Sequence, residues 1–216
     1  MVFSRWREPS APAAMLAAAA ERGWVQVGPP TVAGLQPPTL ARFDVEGLAG
    51  TRPTPCEYWA AASPDGMLAS HLTVFRDESD TPSYDMVAWD DPTTAAVLPH
   101  VELSVHGGGV QNHRLGDRFG SHGSTRVPVA APGFRLTVRR DCADAAAALA
   151  AHPGLPELAA LLGTDRGGAR LDTLDGRCAL WRVTAGPRKG AARWQALLDA
   201  AALARRVLAE SAAARR

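Results

Sequence analysis

The chain has little lysine, no excess of charge of one sign and no long hydrophobic run. Its longest apolar stretch, the alanine-dominated segment from Ala13 to Ala20, falls far short of the roughly 18 residues that a membrane-spanning helix needs, so no span is expected. Lys+Arg 23 against Asp+Glu 22 leaves a formal net charge of +1. Nothing global therefore attracts a phosphate backbone, and no nucleic-acid partner is expected. The three cysteines, Cys56, Cys142 and Cys178, are odd in number, widely spaced and form no CxxC. That excludes a disulfide framework and a zinc knuckle, and leaves reduced, buried thiols as the expectation. Near the start, Arg5, Trp6, Arg7 and Glu8 precede a short alanine run that lacks the apolar centre and small-residue cleavage site of a secretory signal. The expected compartment is the cytoplasm.

Motifs of familiar chemistry are missing as well. Gly107-Gly108-Gly109 is followed by Val110, Gln111 and Asn112, whereas a phosphate-cradling loop needs Lys-Ser/Thr at the mouth of a helix. Ser121, His122 and Ser124 form no Gly-x-Ser-x-Gly elbow, which argues against a serine hydrolase of that type. No cofactor is expected.

What is present is enough to fold. At 216 residues and 46% hydrophobic composition the chain can bury a substantial core, and residues 1–216 are read as one domain. Ser10 as cap, Pro12 in the first turn and Gly23 as stop predict a helix over 11–22. Trp24 to Val27 is strand-like up to Gly28-Pro29-Pro30. Strands are expected over 41–45, 57–62 and 67–75, with Asp65-Gly66 as a hairpin turn, and again over 84–89 and 97–105. The acidic segment 77–83 reads as a hairpin loop, and 107–124, rich in Gly and His, as a long loop. Strands resume at 126–129 and 134–138. Asp141 or Asp144 is expected to cap an alanine helix that stops before Pro153, and a short helix follows over 156–162. Asp175-Gly176 sets a tight hairpin between 170–174 and 177–183, and a long helix over 191–213 carries Trp194, Leu197, Leu198, Ala201 and Leu208 on one face. The fold class expected is α+β, a mostly antiparallel sheet of seven to nine strands covered by N-terminal, middle and C-terminal helices.

The order of elements resembles an uncharacterised family of actinobacterial proteins known only as a domain of unknown function. The resemblance rests on the alanine run Ala17 to Ala20 with Arg22, Gly23 and Trp24, and later on Phe134, Leu136, Val138, Ala145, Leu149, Pro153, Leu158, Leu161, Gly176, Leu180, Trp181 and Leu197. It implies a fold and no activity. Related families carry transmembrane segments, and this chain departs from that pattern.

Four of the six histidines, His100, His106, His113 and His122, crowd one region, and neutral imidazoles are good transition-metal ligands. His106, His113 and His122 are the candidate metal ligands, although their spacing matches no HExxH pattern. The carboxylates Asp77, Glu78, Asp80, Asp85, Asp90 and Asp91 are candidates for acid–base work or a hard cation, weighed against a solvated loop. Cys142 is placed at a helix N-terminus, a position that can lower a thiol pKa. Trp89, at a strand end beside Asp90 and Asp91, is the candidate interaction residue, while Trp181 and Trp194 are expected to pack the hairpin on the terminal helix. Arg205, Arg206, Arg215 and Arg216 suggest peripheral contact with an anionic surface, although a helix C-terminus favours cations anyway. The leading expectation is a non-catalytic binding or interaction module with a protein partner or a second copy. The alternatives are a metal-dependent protein using the His-rich loop 100–124, and a peripheral membrane protein.

Overall fold

A computed structural model describes residues 10–27, 31–32, 56–74, 83–105, 123–162, 169–174, 176–184 and 190–214. The chain enters through helix α1 (Ala11–Ala20), whose N-terminus is capped by Ser10 and whose exit is turned by Gly23 at φ 72°. Strands β1 (Val25–Gln26) and β2 (Thr31–Val32) follow, and both pair with β3 (Cys56–Ala62). Next come β4 (Met67–Val74), β5 (Ser83–Asp90), helix α2 (Pro92–Val97), β6 (His100–Val105), β7 (Ser124–Val127) and β8 (Phe134–Arg139). A 3-10 turn (Arg140–Cys142) leads to α3 (Ala146–Ala150) and α4 (Leu155–Leu162). The hairpin β9 (Ala169–Leu174) and β10 (Arg177–Thr184) precedes the long helix α5 (Ala191–Ala213).

Among the described residues all strands join one ten-stranded sheet in the order β1-β3-β4-β5-β10-β9-β6-β8-β7, with β2 also on β3, and every pairing is antiparallel. The last hairpin is inserted between β5 and β6, so the sheet closes only when residues near 180 meet those near 87 and residues near 173 meet those near 101. This is an α+β fold, as the element pattern predicts.

Side chains alternate across a strand, and here the alternation decides which residues meet the helices. Ala69, Val87, Val101, Leu136, Leu171 and Leu180 share one face and one core with Met15 of α1, Leu149 of α3, Leu158 of α4 and Trp194, Leu197 and Leu198 of α5. Helix α5 is the hub. Arg22 donates to Gln195 Oε1 at 2.7 Å and to Asp199 Oδ1 at 2.7 Å, tying the end of α1 to it, and Arg205 reaches the β3–β4 turn at Asp65 Oδ2, 2.7 Å away.

Three expectations need correction. The strand expected over 97–105 begins only at His100, because Val97 ends a helix over 92–97 that no expectation covered: Asp91 accepts from the Thr94 N–H at 2.9 Å and Pro92 sits in the first turn. Neither Asp141 nor Asp144 caps the alanine helix: α3 starts after Ala145 with no side-chain cap, and a 3-10 turn occupies 140–142. Trp181 does not pack on α5, because its neighbour Leu180 takes the helix-facing position and alternation sends Trp181 to the other face. The expected strand at 41–45 and the loop segments 77–82 and 107–122 lie outside the described residues.

Candidate functional site

Sheet register sets an imidazole, a carboxylate and a guanidinium side by side. His71 on β4 stands opposite Asp85 on β5, and Asp85 stands opposite Arg182 on β10. All three share the helix-facing side, at the end of the sheet where α5 begins. They are 2%, 2% and 5% exposed, a burial that ionisable side chains reach only when paired. His71 Nδ1 lies 2.8 Å from Asp85 Oδ1, and Arg182 Nε donates to the other oxygen, Asp85 Oδ2, at 3.2 Å. Arg182 Nη2 also donates to the Arg193 carbonyl in the first turn of α5, at 3.0 Å.

One rung further along, Thr73 stands opposite Ser83. Thr73 Oγ1 is 3.2 Å from His71 Nε2 and 3.2 Å from Ser83 Oγ. A chain of polar groups thus runs from the buried guanidinium through carboxylate and imidazole to two hydroxyls, of which Thr73 is half-buried and Ser83 buried. Burial alone would push the Asp85 carboxyl up. The His71 hydrogen bond and the Arg182 charge outweigh it and hold the group below the usual carboxylate range.

A second cluster occupies the opposite face. Arg170 on β9 donates through Nε to Asp172 Oδ1 at 2.8 Å and pairs through Nη2 with Glu102 Oε2 of β6 at 2.9 Å. Its Cζ lies 5.4 Å from the Trp181 ring centroid, and Trp181 Nε1 donates to Asp172 Oδ2 at 2.7 Å. Tyr84 packs on the same indole, ring centroids 6.3 Å apart and planes inclined at 59°. Here cation, carboxylates and indole satisfy one another, so the cluster acts as a strut that joins β5, β10, β9 and β6.

The candidates read from sequence fare differently. His106, His113 and His122 lie outside the described residues, and His100 is half-buried on β6. Among the described residues no group of three or more His, Cys, Asp and Glu is gathered for a metal ion. Trp89 is 2% exposed and belongs to the core, so it presents no contact surface; its position on β5 shares the helix-facing alternation of Val87. Asp90 is exposed and pairs with Arg177 Nε at 2.8 Å, Asp91 caps α2, and only Asp85 of the described members of the carboxylate series enters a buried network. Asp77, Glu78 and Asp80 are outside the described residues. Cys142 is no activated thiol: burial and the hydrogen bond to Asp141 push its pKa up. Cys178, wholly buried, is pushed up by burial and by Asp91. Arg205 holds Asp65, Arg206 is exposed, and Arg215 and Arg216 are outside the described residues. Among the described residues no helix is long and apolar enough to cross a membrane.

Sequence reasoning missed His71, Thr73, Ser83 and Arg182. The alternation of His71 and Thr73 within an apolar strand was a signal that they share a face; their partners, 10 to 111 positions on, were not readable without the register. The exposed counterpart to this buried row is Val25 of β1, 69% exposed, with Val27 just beyond the strand, 48% exposed. Comparison with protein-family models, curated proteins and solved structures found no match to this chain.

Proposed function

We propose that the chain is a protein-interaction module that works through the exposed patch of Val25 and Val27, with a second copy of itself as the occupant. The observation that carries this reading is the pair Val25 and Val27, the large hydrophobic side chains that stand exposed among the described residues. They lie two apart, Val27 continuing the ladder just beyond β1 through its N–H to the Ala60 carbonyl, and so point to one side, away from the helices, since they stand opposite Ala62 and Ala60 of β3. A two-fold axis through the patch sets Val25 and Val27 of one copy against the same two side chains of the other, so the patch is self-complementary.

The size of the patch sets the strength of the association. Four valines, two from each copy, contribute roughly 6 kcal/mol when buried, a gain that the cost of association consumes in large part. The dimer is therefore weak and concentration-dependent, of the transient class. Sedimentation velocity from about 10 μM to about 1 mM is expected to show reversible dimerisation with a Kd in the high micromolar range. The double variant Val25→Lys with Val27→Lys is expected to stay monomeric with unchanged thermal unfolding. A wild-type chain that is monomeric throughout, or a variant that dimerises equally well, removes the reading.

A further inference from the structure

The row at His71 has a direction. The ionised Asp85 carboxylate only accepts hydrogen bonds, so the 2.8 Å contact makes His71 Nδ1 the protonated nitrogen of the ring. The lone pair of a neutral ring then sits on Nε2, and the group it faces is Thr73 Oγ1 at 3.2 Å. The Thr73 hydroxyl donates to that lone pair, which leaves its oxygen to accept from Ser83 Oγ at 3.2 Å. Carboxylate, imidazole and hydroxyl thus stand in the order that activates a hydroxyl nucleophile, an order recognised by geometry and role and independent of chain position. Exposure is graded in the same sense. Asp85 and His71 are sealed in, whereas Thr73, the group next to the imidazole, is half-buried. The 3.2 Å spacing between hydroxyl and ring is within the reach at which a base takes a proton, and such contacts tighten when substrate is bound.

We propose that Thr73 Oγ1 is an acyl-accepting nucleophile with His71 as its general base, and that Asp85 and Arg182 are positioning residues. In the acylation step the Thr73 oxygen bonds to the carbonyl carbon of an ester while its proton passes to His71 Nε2. The tetrahedral adduct then expels the alcohol oxygen, which takes the proton back from His71 or leaves as a stable phenolate while the imidazolium releases that proton to solvent. Water, deprotonated by the same nitrogen, adds to the acyl-threonine and releases the carboxylic acid, restoring the hydroxyl. Arg182 narrows the substrate class. Its guanidinium shares the Asp85 carboxylate, so less negative charge is left to stabilise the imidazolium that forms during the reaction. The chemistry is accordingly confined to activated esters with good leaving groups, and amides are left intact.

The probe is p-nitrophenyl acetate added to the full chain, read by nitrophenolate release, intact mass and peptide mapping. The chain has a single lysine, Lys189, so background acetylation is low. The result expected is one acetyl group on Thr73, abolished in Thr73→Val and kept in Thr73→Ser, with far-UV circular dichroism showing that both variants are folded. In His71→Gln the rate of Thr73 acetylation is expected to fall by about 10²-fold or more, the contribution of a positioned base. Folded wild-type protein with an unmodified Thr73 overturns the proposal, as does an acetyl group carried by Ser83 instead. Equal labelling of Thr73 in the His71→Gln variant overturns the role of the imidazole.

Discussion

A Cβ added to Gly154 would stand 2.8 Å from Val207 Cγ2 and 3.1 Å from His152 Nδ1, distances that real Cβ atoms scarcely adopt. The neighbour cannot yield easily, since a β-branched side chain within a helix has one favoured rotamer. His152 is held from both sides: Nδ1 accepts from the Gly154 N–H at 3.0 Å, which leaves Nε2 as the nitrogen 3.0 Å from Glu210 Oε2. Glycine is thus required at 154 by a close approach to α5 and not by an unusual φ. Gly154→Ala is expected to destabilise the fold by about 1–3 kcal/mol, the usual cost of overpacking, measured by urea denaturation. Restoration by a second change, Val207→Ala, would identify the clash as the cause, and an unchanged midpoint in the single variant would refute it.

The β9–β10 hairpin shows how an element is set by its turn. Gly176 has φ 88°, and nothing lies within 4 Å of the point where a Cβ would stand, so substitution there meets a backbone preference and no collision. Gly176→Ala is expected to lose about 1 kcal/mol, and Gly176→Asn less, because asparagine tolerates positive φ better. Thermal unfolding of the three proteins checks the ranking; equal losses would point to another cause. The turn matters beyond its own strands because β10 and β9 lie between β5 and β6, and β10 delivers Arg182 to Asp85. Helix α2 makes the complementary point. Asp91-Pro92 was a start signal in plain view, but the helix it begins spans only Pro92–Val97, too short for apolar periodicity to declare itself.

Both faces of the sheet bury ionised or ionisable groups, and the stability of the whole molecule inherits their pH dependence. For Asp85 the sign follows from a folded pKa below the ordinary carboxylate value. Its contribution is present above about pH 3.9, the unfolded value, and is lost as pH falls from there through the folded one. Replacing it removes one partner of a buried pair, so Asp85→Asn is expected to cost about 3–5 kcal/mol at pH 7. Urea midpoints measured from neutral to acid pH should show the gap between wild type and variant closing at the acid end. A gap that stays constant with pH would mean that the buried carboxylate is not ionised in the folded protein.

Much of the scaffold was legible in the sequence. Ser10, Pro12 and Gly23 bounded α1, Asp65-Gly66 and Gly176 placed two hairpins, and the spacing of Trp194, Leu197 and Leu198 identified the buried face of α5. These are local effects, in which caps, turn conformations and side-chain periodicity act within a few residues. The site was not legible, because no local signal joins His71 to Asp85 or either to Arg182, 111 positions beyond His71. Tertiary structure decided three things here: that β10 pairs with β5, that alternation turns Arg182 toward the helices and Trp181 away from them, and that burial raises the Cys142 pKa. The physical reason is the same in each case. Strand order and register are settled by the burial of an entire face at once, and the environment of a polar side chain exists only after that face has closed.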